Sequence, residues 1–298
     1  MNCPICSFHG YWLIPSARDP QAEKLLSNAD SRSYEWRLCR KCGNGYPSNP
    51  PDLAVLQKLW ALNRADSELS ESQQAATRAY RRAIAKAGGE RSYRLFAPLT
   101  AKAGRFLDIA CGLGETVRVF ATHGWEAEGV DADPSTERFH RELGIRSRIG
   151  QLERVEIGNN CDVIHIAHAI YFITDPVNFL RMARERLAPG GLFCVVLADF
   201  MANVDPALPS YVHTFFPTAS SMRYALAIAG FETVFSRRLS GSIFIAARPA
   251  SAVAKPSVWP AGIRILYRTK RLRYAVFGLP YVTLARAVKH FIGRSSQR

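Results

Sequence analysis

No stretch of this sequence offers the ~20 consecutive apolar residues that a bilayer-spanning helix needs. The longest uncharged run near its end, Tyr274 to Ala285, falls far short. Nor does a basic leader with an apolar core open the chain. Met1 runs straight into "NCPIC", so no secretory signal is expected. The most telling absence is of acid. From Ser251 to Arg298 there are ten lysines and arginines and neither aspartate nor glutamate, so most of the net charge of +14 belongs to a tail. Residues 1–250 hold 29 basic and 25 acidic side chains. A body so near balance argues against a nucleic-acid enzyme, whose positive charge surrounds its active-site mouth. A basic tail with aromatics fits an acidic surface instead, either lipid headgroups or RNA. Disulfides are not expected. Of seven cysteines, four make a metal pattern and three (Cys111, Cys161, Cys194) fall in apolar elements, which suits a reducing compartment. These features point to the cytoplasm, with the inner membrane face as a surface the tail can meet. Hydrophobic content of 48% with 21% charge excludes wholesale disorder.

What is present begins with "CPIC" at Cys3 and Cys6, answered by "CRKCG" at Cys39 and Cys42. Two CxxC knuckles set four thiolates at the corners of a tetrahedron, the arrangement Zn2+ accepts in closed structural sites. A redox CxxC would need only one pair and a thioredoxin-like βαβ around it, which neither pair has. Four thiolates leave no open position for substrate, so such a metal folds the module and does not catalyse. Residues 1–50 are therefore read as a zinc-ribbon-like module, with "SYEWRL" as a strand and Gly43 and Gly45 in the turn behind it. Residues 51–100 turn helical. "DLAVLQKLWALNRADSEL" starts at Asp52 as N-cap, and "ESQQAATRAYRRAIAKAGG" is expected to stop at Gly88-Gly89. These helices would link the ribbon to the main domain and cover its cofactor mouth.

Residues 101–250 alternate strand and helix, the signature of an open parallel α/β sheet. Strands are expected at Phe106–Ile109, Ala127–Val130, Arg146–Ile149, Asp162–Ala167 and Leu192–Leu197. Helices are expected at about Glu115–His123, Pro134–Leu143, Pro176–Leu187 and Ser221–Ala229. A hairpin, Glu232–Ser236 with Ser242–Ala247, closes the sheet.

The first strand leads into "LDIACGLGETV". A dinucleotide fold prefers GxGxxG, and the third glycine is missing here; no GK[ST] follows, which removes a P-loop. Glu115 sits at the helix start, where its carboxylate would repel a pyrophosphate. A cofactor without phosphates fits better.

At these residues the chain resembles the class I S-adenosylmethionine-dependent methyltransferases, of the type 11 and type 23 kind. "LDIACGLG" is similar to that family's first motif, "GVDADPS" to the end of its second strand, and "LAPGG" to the turn before its fifth, over roughly Leu95 to Arg248. The resemblance implies a Rossmann-like seven-stranded domain with S-adenosylmethionine as methyl donor. It also implies that Asp108 faces the methionine amino group through water. Gly112 and Gly114 would admit the methionyl and ribose parts, and Asp131 would accept from both ribose hydroxyls. Two positions depart from the family. Ala110 takes the place of its first glycine, a small residue expected to sit there without much strain. Gln151 replaces the usual Asp near the adenine amino group.

The acceptor side follows the fourth strand, in "CDVIHIAHAIYFITDP". No Asn/Asp-Pro-Pro-aromatic run of the adenine or glutamine nitrogen methylases occurs there, and neither Cys161 nor Cys194 is placed as the nucleophile of an RNA cytosine methylase. The segment is similar to the "H-x-LEH-x-x-DP" form of small-molecule, sugar and quinone methylases, with Tyr171-Phe172 in place of the Glu-His pair. His168 keeps the matching position, as base or as cofactor-pocket lining. "YVHTFFPTASSMRYALAIAGFE" resembles the segment before that family's last helix and offers His213 as a second candidate base. His165, at mid-strand, is read as core. The implied substrate is a small molecule, a glycan or another sugar-containing or lipid-linked metabolite, methylated on oxygen. Two alternatives stand beside it. One is an RNA methylase, since the ribosomal-RNA guanine-N1 methyltransferases also open with a zinc module; the other is a non-catalytic cofactor-binding regulator. In residues 251–298, Val282, Leu284, Val288 and Phe291 step at helical spacing, as in a basic amphipathic helix that lies on an anionic membrane or packs on its own domain.

Overall fold

The computed structural model describes residues 2–14, 35–50, 71–150, 158–199, 213–252, 254–273 and 275–276. Near the amino end, β1 (Tyr11–Ile14), β2 (Trp36–Cys39) and β3 (Gly45–Pro47) form an antiparallel sheet in that order. Trp36, Leu38 and Tyr46 from these strands are buried. Gly43, with φ of +67°, makes the left-handed turn after the second knuckle, as glycine alone does without strain.

The main sheet has seven strands: β4 (Arg105–Ile109), β5 (Glu126–Asp131), β6 (Arg146–Ile149), β7 (Cys161–Ala167), β8 (Leu187–Ala198), β9 (Phe231–Leu239) and β10 (Ser242–Pro249). Their order is β6-β5-β4-β7-β8-β10-β9, parallel except for β10, which runs against both neighbours. Each expected strand is present, most of them longer by one to three residues; the largest change is that "LAPGG" is already extended, so β8 opens at Leu187 beside Cys161. From β4 the chain winds one way to β5 and β6, and the other way to β7 and β8. That reversal opens a crevice at the carboxyl ends of the central strands.

Alternation along the strands feeds two cores. Phe106, Val163, Leu192 and Cys194 face one side, packed with Phe96, Val117 and Phe120. Leu107, Ile109, Ile164, Ile166, Phe193 and Val195 face the other, with side chains from the helices Pro176–Arg186 and Ala219–Ile228. This second core continues through Phe215, Phe216 and Tyr224 into Trp36 and Tyr46 of the ribbon.

Helix α1 (Glu71–Phe96) does not stop at Gly88-Gly89, contrary to the expectation from sequence. A Cβ on Gly89 would lie 2.9 Å from Thr116 Cα, so this glycine lets α1 close on α2 (Glu115–Thr122) and is not a terminator. The helix ends only where Pro98 enters. The remaining helices are α3 (Glu137–Leu143), α4 (Pro176–Arg186), α5 (Ala219–Ile228) and α6 (Pro260–Arg273). The expected helix from Pro134 is split, its first turn being a 3-10 segment (Pro134–Thr136) capped by the Asp133 side chain. Helix α6, from the basic tail, packs on the ribbon. Ile263 and Val258 press against Gly43, and the Arg264 guanidinium lies 5.0 Å over the Trp12 ring. The helix expected from Asp52 and the amphipathic segment around Val282–Phe291 lie outside the described residues. Among the described residues no helix is long and apolar enough to cross a membrane.

Candidate active site

The turn after β4 is built from three consecutive left-handed positions at alternate residues: Ala110 (φ +55°), Gly112 (+57°) and Gly114 (+79°). For Ala110 this corrects the expectation of an unstrained substitution, because a left-handed alanine costs about 1–2 kcal/mol over a glycine's freedom. A Cβ on Gly114 would run into Ile145 at 2.3 Å, whereas one on Gly112 would meet nothing within 4 Å among the described residues.

Asp131 ends β5 next to this turn and is buried. Its Oδ2 accepts from the Gly112 N–H at 2.7 Å and its Oδ1 from the Asp133 N–H at 2.9 Å. A carboxylate can take two donors at once, the property that suits this group to a diol. His140 secures the other side of the turn. Its Nε2 donates to the Gly112 carbonyl at 2.8 Å, and its Nδ1 meets Ser147 Oγ at 2.9 Å. Nothing in the residues flanking this histidine signals its role.

Glu115 opens α2 and is 2% exposed. Arg82 of α1 reaches it at 2.9 Å, and Arg118 at 3.0 and 2.8 Å. The helix N-terminus, where phosphates ordinarily bind, is thus occupied by the protein's own neutralised acid.

Asp108 is buried in β4, and its Oδ1 accepts from His165 Nδ1 at 2.7 Å. His165 Nε2 in turn meets Ser92 Oγ of α1 at 3.0 Å. The core reading of His165 is right as to burial but missed its partner. Asp108 and His165 are register neighbours across β4 and β7, a fact the topology alone supplies.

His168 ends the crevice side of β7 in a left-handed conformation, φ +53°. Its Nε2 lies 3.4 Å from Ser242 Oγ of β10. The His168 ring is exposed to solvent, yet desolvation by the protein atoms around it lowers its pKa below the usual histidine value, with neighbouring His165 and Arg91 acting in the same direction. The imidazole is therefore neutral at pH 7. Tyr171 lies in the turn Ile170–Phe172; its hydroxyl accepts from the Ala198 N–H, and burial raises its pKa, so it remains a neutral tie between strand ends. His213 lies among the rings of Tyr171, Phe172 and Phe216, with centroids 5.3, 5.7 and 5.2 Å away. Burial raises the Cys161 thiol to about 11 and Cys194 well above its ordinary value, so both stay protonated. Gln151 lies outside the described residues.

The four ribbon cysteines converge. Cys3 and Cys42 sulfurs are 3.6 Å apart, Cys6 and Cys39 3.5 Å, and all four lie within 4.8 Å of one another. A tetrahedral zinc with ~2.3 Å Zn–S bonds sets sulfurs about 3.8 Å apart, so the donor set fits that ion. The Lys41 N–H points at Cys39 Sγ at 3.4 Å, a bond that suits a thiolate.

A family model described as a methyltransferase domain matches residues 75–235. The ubiquinone biosynthesis O-methyltransferase of Cereibacter sphaeroides is 35% identical over 105 residues, covering 33% of this chain and 42% of that protein. Its namesake in a Caulobacter species is 32% identical over 99 residues, covering 30% and 39%. The chain thus spans less than half the length of these curated relatives. Among solved structures, the 1,6-didemethyltoxoflavin-N1-methyltransferase of Burkholderia thailandensis aligns with a TM-score of 0.51 at 18% identity. The alignment covers 70% of this chain and 96% of that one, a likeness of fold.

Proposed function

The chain belongs to the methyltransferase-domain family, and from that premise we propose that it is an S-adenosylmethionine-dependent O-methyltransferase of a small, sugar-containing or lipid-linked metabolite. The observation that carries the proposal is the junction of Asp131 with the open turn at Gly112. A buried carboxylate accepts from the Gly112 N–H, at a position where an added Cβ would meet no described atom within 4 Å, while Glu115 with its arginines occupies the neighbouring helix start. Asp131 would hold the ribose hydroxyls, with Ala110, Gly112 and Gly114 lining the donor. Asp108, Gln151 and His168 complete the set carried by the family resemblance. When bound, the donor supplies an electrophilic methyl group on sulfur.

The chain's own residues then have three tasks: to orient the acceptor, exclude water and take its proton. A neutral His168 is suited to accept a hydroxyl proton at pH 7, and its place at the end of β7 puts it on the crevice. His213 is the second candidate, held among the rings of Tyr171, Phe172 and Phe216. Oxygen as the acceptor atom is favoured by the name shared by the curated relatives. We further assign Zn2+ to Cys3, Cys6, Cys39 and Cys42 as a structural ion. The surface partner we propose for the tail is an anionic lipid surface. Trp259, Ile265 and Leu272 of the α6 region are well exposed, beside exposed Lys255 and Arg268.

Incubation with methyl-labelled donor and fractionated extracts tests the proposal. Label should enter a small-molecule or glycolipid fraction as a base-stable ether. Label in RNA instead, or in no fraction, contradicts it. His168→Asn or His213→Asn, whichever removes the base, should lower kcat about 100-fold or more.

A further inference from the structure

The ribbon is not a separate bead on the chain. Gly45, which opens β3, exchanges two backbone hydrogen bonds with Phe216: the Gly45 N–H donates to the Phe216 carbonyl at 3.2 Å, and the Phe216 N–H to the Gly45 carbonyl at 2.7 Å. Phe216 thus continues the ribbon sheet as one further antiparallel step. The approach is close there: a Cβ on Gly45 would lie 3.1 Å from the Phe216 carbonyl oxygen, so the junction must give by a few tenths of an ångström to admit a side chain.

The segment so gripped is the one that presents His213. The Phe216 ring stacks on Tyr171 at 5.3 Å and 22°, and His213 packs against both. Thr214 closes the circuit. Its N–H and its hydroxyl both reach the Tyr171 carbonyl at 2.8 Å, and the hydroxyl also reaches the Ile173 carbonyl at 2.6 Å. Tyr171 and Ile173 follow β7 directly, at the crevice end of the sheet. Behind Gly45, Cys39 N–H donates to the Asn44 carbonyl at 2.9 Å, so the backbone from the cysteine cluster to Phe216 is one short hydrogen-bonded path. The cofactor turn lies elsewhere. It is held by Asp131 and His140, and among the described residues none of the ribbon contributes to those bonds.

We infer that the cysteine ribbon is the acceptor-side wall of this site, with Gly45 and Phe216 as positioning residues that fix the His213 segment and leave the cofactor side independent. The word acceptor rests on the methyltransferase reading; the mechanical coupling does not. Metal occupancy of the ribbon then governs how the acceptor is received and not whether the donor binds.

The test uses the full chain. Gly45→Val forces the junction apart while leaving every cysteine in place, and Cys39→Ser removes a metal ligand. For each, zinc content, calorimetric affinity for S-adenosylmethionine and hydrogen exchange of the Thr214 and Phe216 amides are measured. Gly45→Val should keep about one zinc per chain and keep donor affinity within about twofold, while both amides exchange about tenfold faster or more. Zinc loss in Cys39→Ser, or by chelation of the intact chain where that variant does not fold, should speed the same two amides. Unchanged exchange in either case overturns the inference. So does donor affinity that falls in step with the exchange, because the ribbon would then support the whole domain. A wild-type chain that binds no donor would sink the methyltransferase reading alone and leave the exchange result to stand or fall by itself.

Discussion

At the scale of single residues, the cofactor turn contains a stored cost. Ala110 holds a left-handed backbone next to two glycines that hold it freely. Ala110→Gly should therefore raise stability by about 0.5–1 kcal/mol, the relief of a left-handed Cβ less the added freedom of the unfolded chain. A thermal melt that stays put or falls would show the turn to be unstrained. His168 makes a second prediction, in pH. Its folded pKa lies below the unfolded value of 6.5, so the folded state resists the proton that the unfolded chain accepts. The ring is neutral and without cost above that value, and stability is lost as pH falls through it. The Tm of wild type should thus drop relative to His168→Asn between about pH 7 and pH 5. A constant difference refutes the shift. The strand–turn–helix that brings Asp131 beside Gly112 was legible in the sequence, because the spacing of acid and glycines along it carries the information. The sequence did not show His140 on the Gly112 carbonyl or His165 on Asp108, since both depend on which strands and helices lie side by side.

At the scale of elements, α1 shows where local signals mislead. A glycine pair reads as a helix stop, yet the two glycines stand in different surroundings. A Cβ on Gly88 would meet nothing within 4 Å, while one on Gly89 would strike Thr116 Cα at 2.9 Å. Gly88→Ala should stabilise by up to about 1 kcal/mol through helix propensity. Gly89→Ala should destabilise by about 1–3 kcal/mol, because backbone must move. If both variants shift the urea midpoint in the same direction, the α1–α2 packing is misread. The strands were legible for a simple reason. The central strands β4, β7 and β8 are apolar runs bounded by glycine or charge, as burial on both faces of a parallel sheet demands, whereas the edge strand β6 is polar and largely exposed. Helix α1 was not legible, because the reason it continues lies on another helix.

At the scale of the whole molecule, three stretches that look separable in sequence converge on one side of the sheet. Ribbon, His213 segment and α6 share a core through Trp36, Tyr46, Phe216, Ile263 and Tyr267. Nothing in the linear sequence pairs Gly45 with Phe216, since a single bridge between distant segments leaves no periodic trace. The outer side of α6 carries exposed Ile265 and Leu272 within a tail that lacks acid, which yields a further prediction. The protein should sediment with anionic vesicles and not with zwitterionic ones, and Leu272→Glu should release it. Equal partitioning to both, or none to either, removes the lipid surface as a partner, and retention by RNA that fades steeply with salt would put nucleic acid in its place. The central claim remains the donor pocket, and isothermal titration of wild type and Asp131→Ala with S-adenosylmethionine tests it most directly. The wild type should bind one donor per chain, and loss of the carboxylate proposed to receive the ribose hydroxyls should weaken binding at least about tenfold. Equal affinities in the two proteins, or binding of a dinucleotide in preference to the sulfonium, would contradict the account.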